Sequence, residues 1–177
     1  KDYRITLDEG ADIVHLLEPV GSENPHYALF GWAPGTGLSL EDVPSVMTPW
    51  AVVSGDVLSP DSPVILRWES PSGLIFRRGI EIDDDYMFTV EQNVTNTSGD
   101  AVRLAPYGLI RRHGNPTDLK GFFILHEGAI QKIAGVREYV KYDKLEPAGQ
   151  HETFTAEEAG WTGFTDHYWM TTLIPGN

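Results

Sequence analysis

Three aspartates in a row, Asp83, Asp84 and Asp85, form the densest group of metal-type ligands in the sequence. A calcium loop needs oxygens at alternating positions, a glycine at its centre and a distal glutamate, and none of these surrounds the triplet. Aspartate favours tight turns, so a solvated hairpin turn is expected there instead. The histidines are His15, His26, His113, His126, His151 and His167. No two of them stand at a spacing that would put both on one face as zinc ligands. His126-Glu127 and His151-Glu152 are neighbours in sequence, which on a strand sends the two side chains to opposite faces. An acid–base pair would have to be assembled from distant strands. "GTGLSL" (35–40) lacks the third glycine of a dinucleotide-binding turn and lies among prolines. There is no G-x-S-x-G nucleophile elbow. Asn93-Val94-Thr95 and Asn96-Thr97-Ser98 match the glycosylation acceptor pattern, which matters only in a eukaryotic secretory setting. No catalytic residue, metal site or cofactor is expected.

The elements that would position such groups read as β throughout. "YRITL" (3–7), "DIVHLL" (12–17) and "HYALFGW" (26–32) are short apolar or alternating runs parted by turn residues. Residues 33–49 are rich in proline and glycine and read as loop. "WAVVSG" and "PVILRWES" resume the strand pattern, and "SPSG" (70–73) has the composition of a hairpin turn. Residues 74–112 show period-two alternation most clearly: Ile80 and Ile82 about Glu81, then Phe88, Val90, Gln92 and Val94. "GFFILH", "REYVKYDKL" and "HETFTA" supply three further strand candidates. Helical signals are confined to "TAEEAG" (155–160), barely one turn. The closing "GWTGFTDHYWMTTLIPGN" has aromatics at helical spacing, yet Gly163 and the crowded threonines are poor helix formers. It reads as a hairpin, with "WTGF" and "YWMTTLI" as arms about a "TDH" turn and the aromatics toward a core.

Composition excludes several functions. With 177 residues the chain is read as one domain. A formal net charge of −13 repels phosphate backbones and anionic lipid headgroups, and the doublets Arg77-Arg78 and Arg111-Arg112 are too small for a nucleic-acid footprint. Without cysteine there is no disulfide and no thiol chemistry. No apolar run approaches the length needed to cross a bilayer. An acidic, alternating sequence gives no sign of a large apolar surface patch, which a chaperone-like binder of unfolded clients would need.

"LLEPVGSENPHYALFGW" (16–32), "FRRGIEIDDDYMFTVEQNVTNTSGDAVRLAPYGLIRR" (76–112), "REYVKYDKL" (137–145) and the closing segment occur in an order that resembles the large periplasmic domain of the bacterial YidC membrane protein insertase family, in wording closest to α-proteobacterial members. The resemblance implies a β-supersandwich of antiparallel sheets, the galactose mutarotase-like architecture, in a Gram-negative inner-membrane protein whose domain faces the periplasm. It also implies that the chain stops short of the family domain's last strands and helix and lacks its first strand, leaving an open sheet edge prone to self-association. The family's working groove lies in a transmembrane core that no part of this chain matches, so the resemblance carries over no catalytic or client-binding residue. It implies contact with the SecDF accessory complex and the Sec translocon through the half spanning about residues 122–172, and with membrane protein clients only through the parent protein. Within that half, Tyr139, Lys141 and Tyr142 are the expected partner-binding residues. Alternation puts Tyr139 and Lys141 on one face and Tyr142 on the other. The shared architecture leaves a carbohydrate-binding or mutarotase-like role open, which would require His113 or His126 beside a carboxylate in a cleft.

Overall fold

A computed structural model of the chain describes residues 3–116, 119, 126–145, 153, 155, 160–167 and 169–176. These residues build ten strands and two single-turn 3₁₀ segments, an all-β fold of antiparallel sheets as the alternation implied. No helix among them is long and apolar enough to cross a membrane. The chain divides into two compact units, one of residues 1–29 and 108–177, the other of residues 30–107. Strands β1 (His26–Pro34) and β6 (Leu104–Arg112) pair with each other, and each runs from one unit into the other.

The second unit is built on the sheet β2-β3-β4-β5: Ala51–Ser54, Val64–Glu69, Leu74–Ile82 and Phe88–Asn96. Each strand is the hairpin neighbour of the next, so the period-two pattern of residues 64–96 translates directly into register. Phe76 lies opposite Trp68 and Val94, and Ile80 opposite Val64 and Val90. Leu74 and Phe76 are fully buried with Trp32 and Val43, and Trp50, Trp68 and Val94 close around them. Each such side chain contributes about 1.5–3 kcal/mol of burial. Both turns follow from residue type. Gly73 takes a positive φ of 82° at the end of the Ser70–Gly73 turn, where its N–H donates to the Ser70 carbonyl. At the other hairpin the Asp83 side chain accepts from the N–H groups of Asp85 and Met87 at 2.9 Å, the solvated turn expected of the triplet.

Two polar side chains on this sheet hold β1. Arg78 Nη2 donates to the Phe30 carbonyl at 2.5 Å and Gln92 Nε2 to the Gly31 carbonyl at 2.9 Å. The Arg78 guanidinium lies over the Trp50 ring at 4.8 Å and near Trp32 at 5.6 Å. Burial lowers its pKa, and the aromatic faces offset part of that cost.

The first unit contains the sheet β10-β9-β7-β8, with strands Met170–Leu173, Trp161–Thr165, Gly128–Ile133 and Val136–Lys141. The closing stretch is the expected hairpin, Thr171 opposite Phe164 and Thr172 opposite Gly163. β7 and β8 are joined by Ala134-Gly135, both at positive φ, the two-residue turn whose twist suits a hairpin.

Three sequence expectations differ. Residues 3–17 form one isolated bridge, Arg4 with Ile13, and no strand. Tyr3, Ile5, Leu7, Ile13 and Leu17 are all exposed, so neither run has a buried face to reward sheet pairing. β7 lies in "GAIQKI", which opens on Gly-Ala and shows no alternation strong enough to mark a strand. β8 ends at Lys141, and Tyr142–Lys144 turn as a 3₁₀ segment, so "REYVKYDKL" is a strand in its first half only. "GFFILH" up to residue 125, nearly all of "HETFTA" and the body of "TAEEAG" lie outside the described residues.

Candidate functional site

The first unit buries a group of polar side chains brought from four separate places. Arg112 is the last residue of β6, His26 the first of β1, Tyr142 opens the turn after β8, and Asp166 follows β9. Asp166 is fixed by its own backbone, whose N–H donates to the Trp169 carbonyl at 2.8 Å and closes the β9–β10 turn. His26 is fixed by a bridge in which its N–H and C=O pair with the C=O and N–H of Glu18. Arg112 Nη2 donates to Asp166 Oδ2 at 2.5 Å and lies 2.8 Å from His26 Nδ1. Tyr142 donates from its hydroxyl to Asp166 Oδ1 at 2.9 Å. The rings complete the packing: Tyr142 stacks on Phe164 at 6.1 Å, His26 meets the Phe164 edge at 6.0 Å, and the Arg112 guanidinium lies 5.7 Å from the Tyr142 centroid.

The electrostatics of this group follow from its bonds. A guanidinium only donates, so His26 Nδ1 accepts and the ring is held neutral with its proton on Nε2. Burial lowers the His26 pKa and the Arg112 charge lowers it further, against smaller raising effects of Asp166 and the Leu16 carbonyl. Nε2 makes no hydrogen bond of good geometry, so the Leu16 contribution is weak. Burial raises the Tyr142 pKa far above its ordinary value, and the Asp166 carboxylate adds to that. Both Asp166 oxygens are engaged, and His26 is 1% exposed. These bonds join four segments of the chain, and the group acts as a clamp fastening them.

Sequence reasoning missed this clamp. His26 and Arg112 are 86 residues apart and Arg112 and Asp166 are 54 apart, so no local spacing announces them. The one available signal was the Arg111-Arg112 doublet at the end of a strongly alternating strand. The histidines weighed for catalysis lie elsewhere: His113 Nε2 is 3.1 Å from the Tyr27 hydroxyl, and His126 Nε2 is 2.9 Å from the Ala129 carbonyl.

The expected partner-binding residues separate. Every residue of β8 is exposed, and among the described residues β8 pairs with β7 alone, leaving its other edge open. Tyr139 is 52% exposed, its ring edge-on to His126 at 5.3 Å, and Lys141 is exposed two residues on. Tyr142 is 4% exposed and belongs to the clamp. Tyr139 and Lys141 share an accessible face and Tyr142 lies behind them, off the strand altogether.

Known proteins place this architecture. No solved structure matches the chain. A family model described as the YidC periplasmic domain matches residues 1–177. The chain is 53% identical to the membrane protein insertase YidC of Jannaschia sp. (strain CCS1), covering 99% of this chain and 29% of that protein. It is 48% identical to the membrane protein insertase YidC of Ruegeria sp. (strain TM1040), with 99% and 30% covered, and 49% identical to that of Ruegeria pomeroyi, with 100% and 31% covered. The chain thus spans about a third of the length of the curated relatives it matches. By a match that runs from its first residue to its last, the chain belongs to the YidC periplasmic domain family.

Proposed function

We propose that the chain acts as a non-catalytic contact domain of a membrane protein insertase, on the periplasmic side of a Gram-negative inner membrane, and that it meets Sec accessory subunits through the β8 edge. The observation that carries this reading is an exposed edge strand bearing Tyr139 and Lys141 in a chain matched over its whole length by the YidC periplasmic domain. Tyrosine supplies contact area at little entropic cost and lysine supplies charge steering, a combination suited to a modest, reversible interface. The clamp is consistent with a structural role, since Asp166 and His26 Nδ1 bond groups of this chain. A sugar-processing role receives no such support, since His113 lies against the Tyr27 hydroxyl and His126 against the Ala129 carbonyl.

The test is in-cell photo-crosslinking in the full-length parent, with the probe at Tyr139 or Lys141 and a control at buried Tyr142. Crosslinks to SecD or SecF from the first two positions are expected. Crosslinks to nascent clients alone, or none from a folded and inserted protein, would sink the reading.

A further inference from the structure

The second unit carries another open edge, of a different chemistry. Among the described residues strand β2 (Ala51–Ser54) is an outermost strand of its sheet, and all four of its residues are exposed. Val52 and Val53 are 59% and 47% exposed, and Val46, Met47 and Val57 on the flanking segments are more exposed still. Free backbone donors and acceptors beside bare valines form a template for one more strand.

Charge around this edge is unequal. From Phe30 to Leu66 the chain contains no lysine or arginine, while Glu41, Asp42, Asp56 and Asp61 carry negative charge. At the Ala51 end the register places Arg67, paired with Glu69 at 2.7 Å, and beyond it Arg77. At the Ser54 end, Gly55 lies so close to Pro63 that a Cβ there would meet the Pro63 carbonyl at 2.2 Å. Pro63 in turn lines a groove of about 480 Å³ with Asp61, Glu81, Asp83, Asp84 and Met87. The β4–β5 turn and the start of β3 lie at this same end of the sheet, so a strand laid along β2 and continued past Ser54 passes over the groove.

We infer that the β2 edge binds an extended, apolar polypeptide segment of another protein, with lysine or arginine on the flank that lies over the groove of Asp61, Glu81, Asp83 and Asp84. The apolar core of such a segment covers Val52 and Val53, and its backbone completes the ladder. The cationic flank is chosen by the one-sided field, which also disfavours an anionic lipid surface and a second copy of this acidic chain. Four residues and a register shift between Val52 and Ser54 limit the docked length, which makes the contact short and reversible. This inference concerns the second unit and is independent of the β8 reading.

The test uses the ¹⁵N-labelled 177-residue chain and two synthetic peptides, each of alternating threonine and valine, with two lysines at the N-terminal or the C-terminal end. One of them should shift the amide signals of Ala51–Ser54 and residues 55–63, and should bind about tenfold more tightly than its glutamate-flanked counterpart. Val52→Lys should remove binding. Asp61→Asn with Asp84→Asn should erase the preference for lysine while leaving the chain folded. Shifts confined to other strands, or equal affinity for lysine and glutamate flanks, overturn the inference. So do β2 shifts that arise only on concentrating the protein alone, or only with phosphatidylcholine vesicles.

Discussion

At the scale of single residues, Asp166 bears the most. It is the anion paired with Arg112 among the described residues and the acceptor of the Tyr142 hydroxyl, and the two ion-pair side chains are 11% and 18% exposed. Replacing it by asparagine keeps the shape and leaves a nearly buried guanidinium without its counter-charge. Asp166→Asn should therefore lower stability by about 2–3 kcal/mol, read from the urea midpoint at constant m. His26 adds a pH dependence whose sign follows from its depressed pKa. The unfolded chain binds a proton near the ordinary value of 6.5, while the folded chain resists it until lower pH. Stability should thus rise with pH through the window just below 6.5 and be lost as pH falls through it. His26→Gln, which can still accept from Arg112, should flatten that slope between about pH 5 and pH 7 in the same measurement.

Elements show where sequence and structure agree and why they part. Between Leu74 and Asn96 less exposed positions alternate with exposed ones, Leu74 and Phe76 fully buried on β4 and Val90, Gln92 and Val94 half-buried on β5, and this alternation announced both strands. β7 is bordered on both sides, by β8 and β9, and reads as "GAIQKI" with little alternation, so it stayed hidden. The clamp was illegible for another reason: an ion pair between Arg112 and Asp166 is made by topology, which leaves no mark on nearby residues. Alternation set Tyr142 apart from Tyr139 and Lys141 as the face turned the other way; the structure ends β8 at Lys141 and buries Tyr142 in the turn that follows. Gly163 in β9 was noticed as a helix breaker, and the structure gives it a second reason. A Cβ there would meet the Thr171 carbonyl at 2.0 Å, with β10 on one side and β7 on the other. Gly163→Ala should push β10 off the sheet and cost about 2–3 kcal/mol, visible as faster hydrogen exchange confined to Met170–Leu173 and its partners.

For the whole molecule, charge and open edges oppose each other. Among the described residues β2 and β8 are outer strands with all their residues exposed, and a net charge of −13 keeps copies apart. Bringing the pH toward the isoelectric point of about 4.7 removes that repulsion. Light scattering should show association rising there, and added salt should promote it near neutral pH by screening the same charge. Val52→Lys should reduce the association if β2 is one of the edges that pair.

The division of the chain has a consequence in time. Residues 30–107 interrupt a unit that begins before them and ends after them. The sheet β2–β5 is a succession of neighbouring hairpins and can close as soon as Asn96 has left the ribosome. The outer unit cannot, because His26 must wait for Asp166 before the clamp has its anion. During synthesis the sheet β2–β5 is therefore complete before the clamp, and His26 waits for the β9–β10 turn that carries Asp166. A pause at that stage prolongs the exposure of His26, and the clamp marks the moment at which that exposure ends.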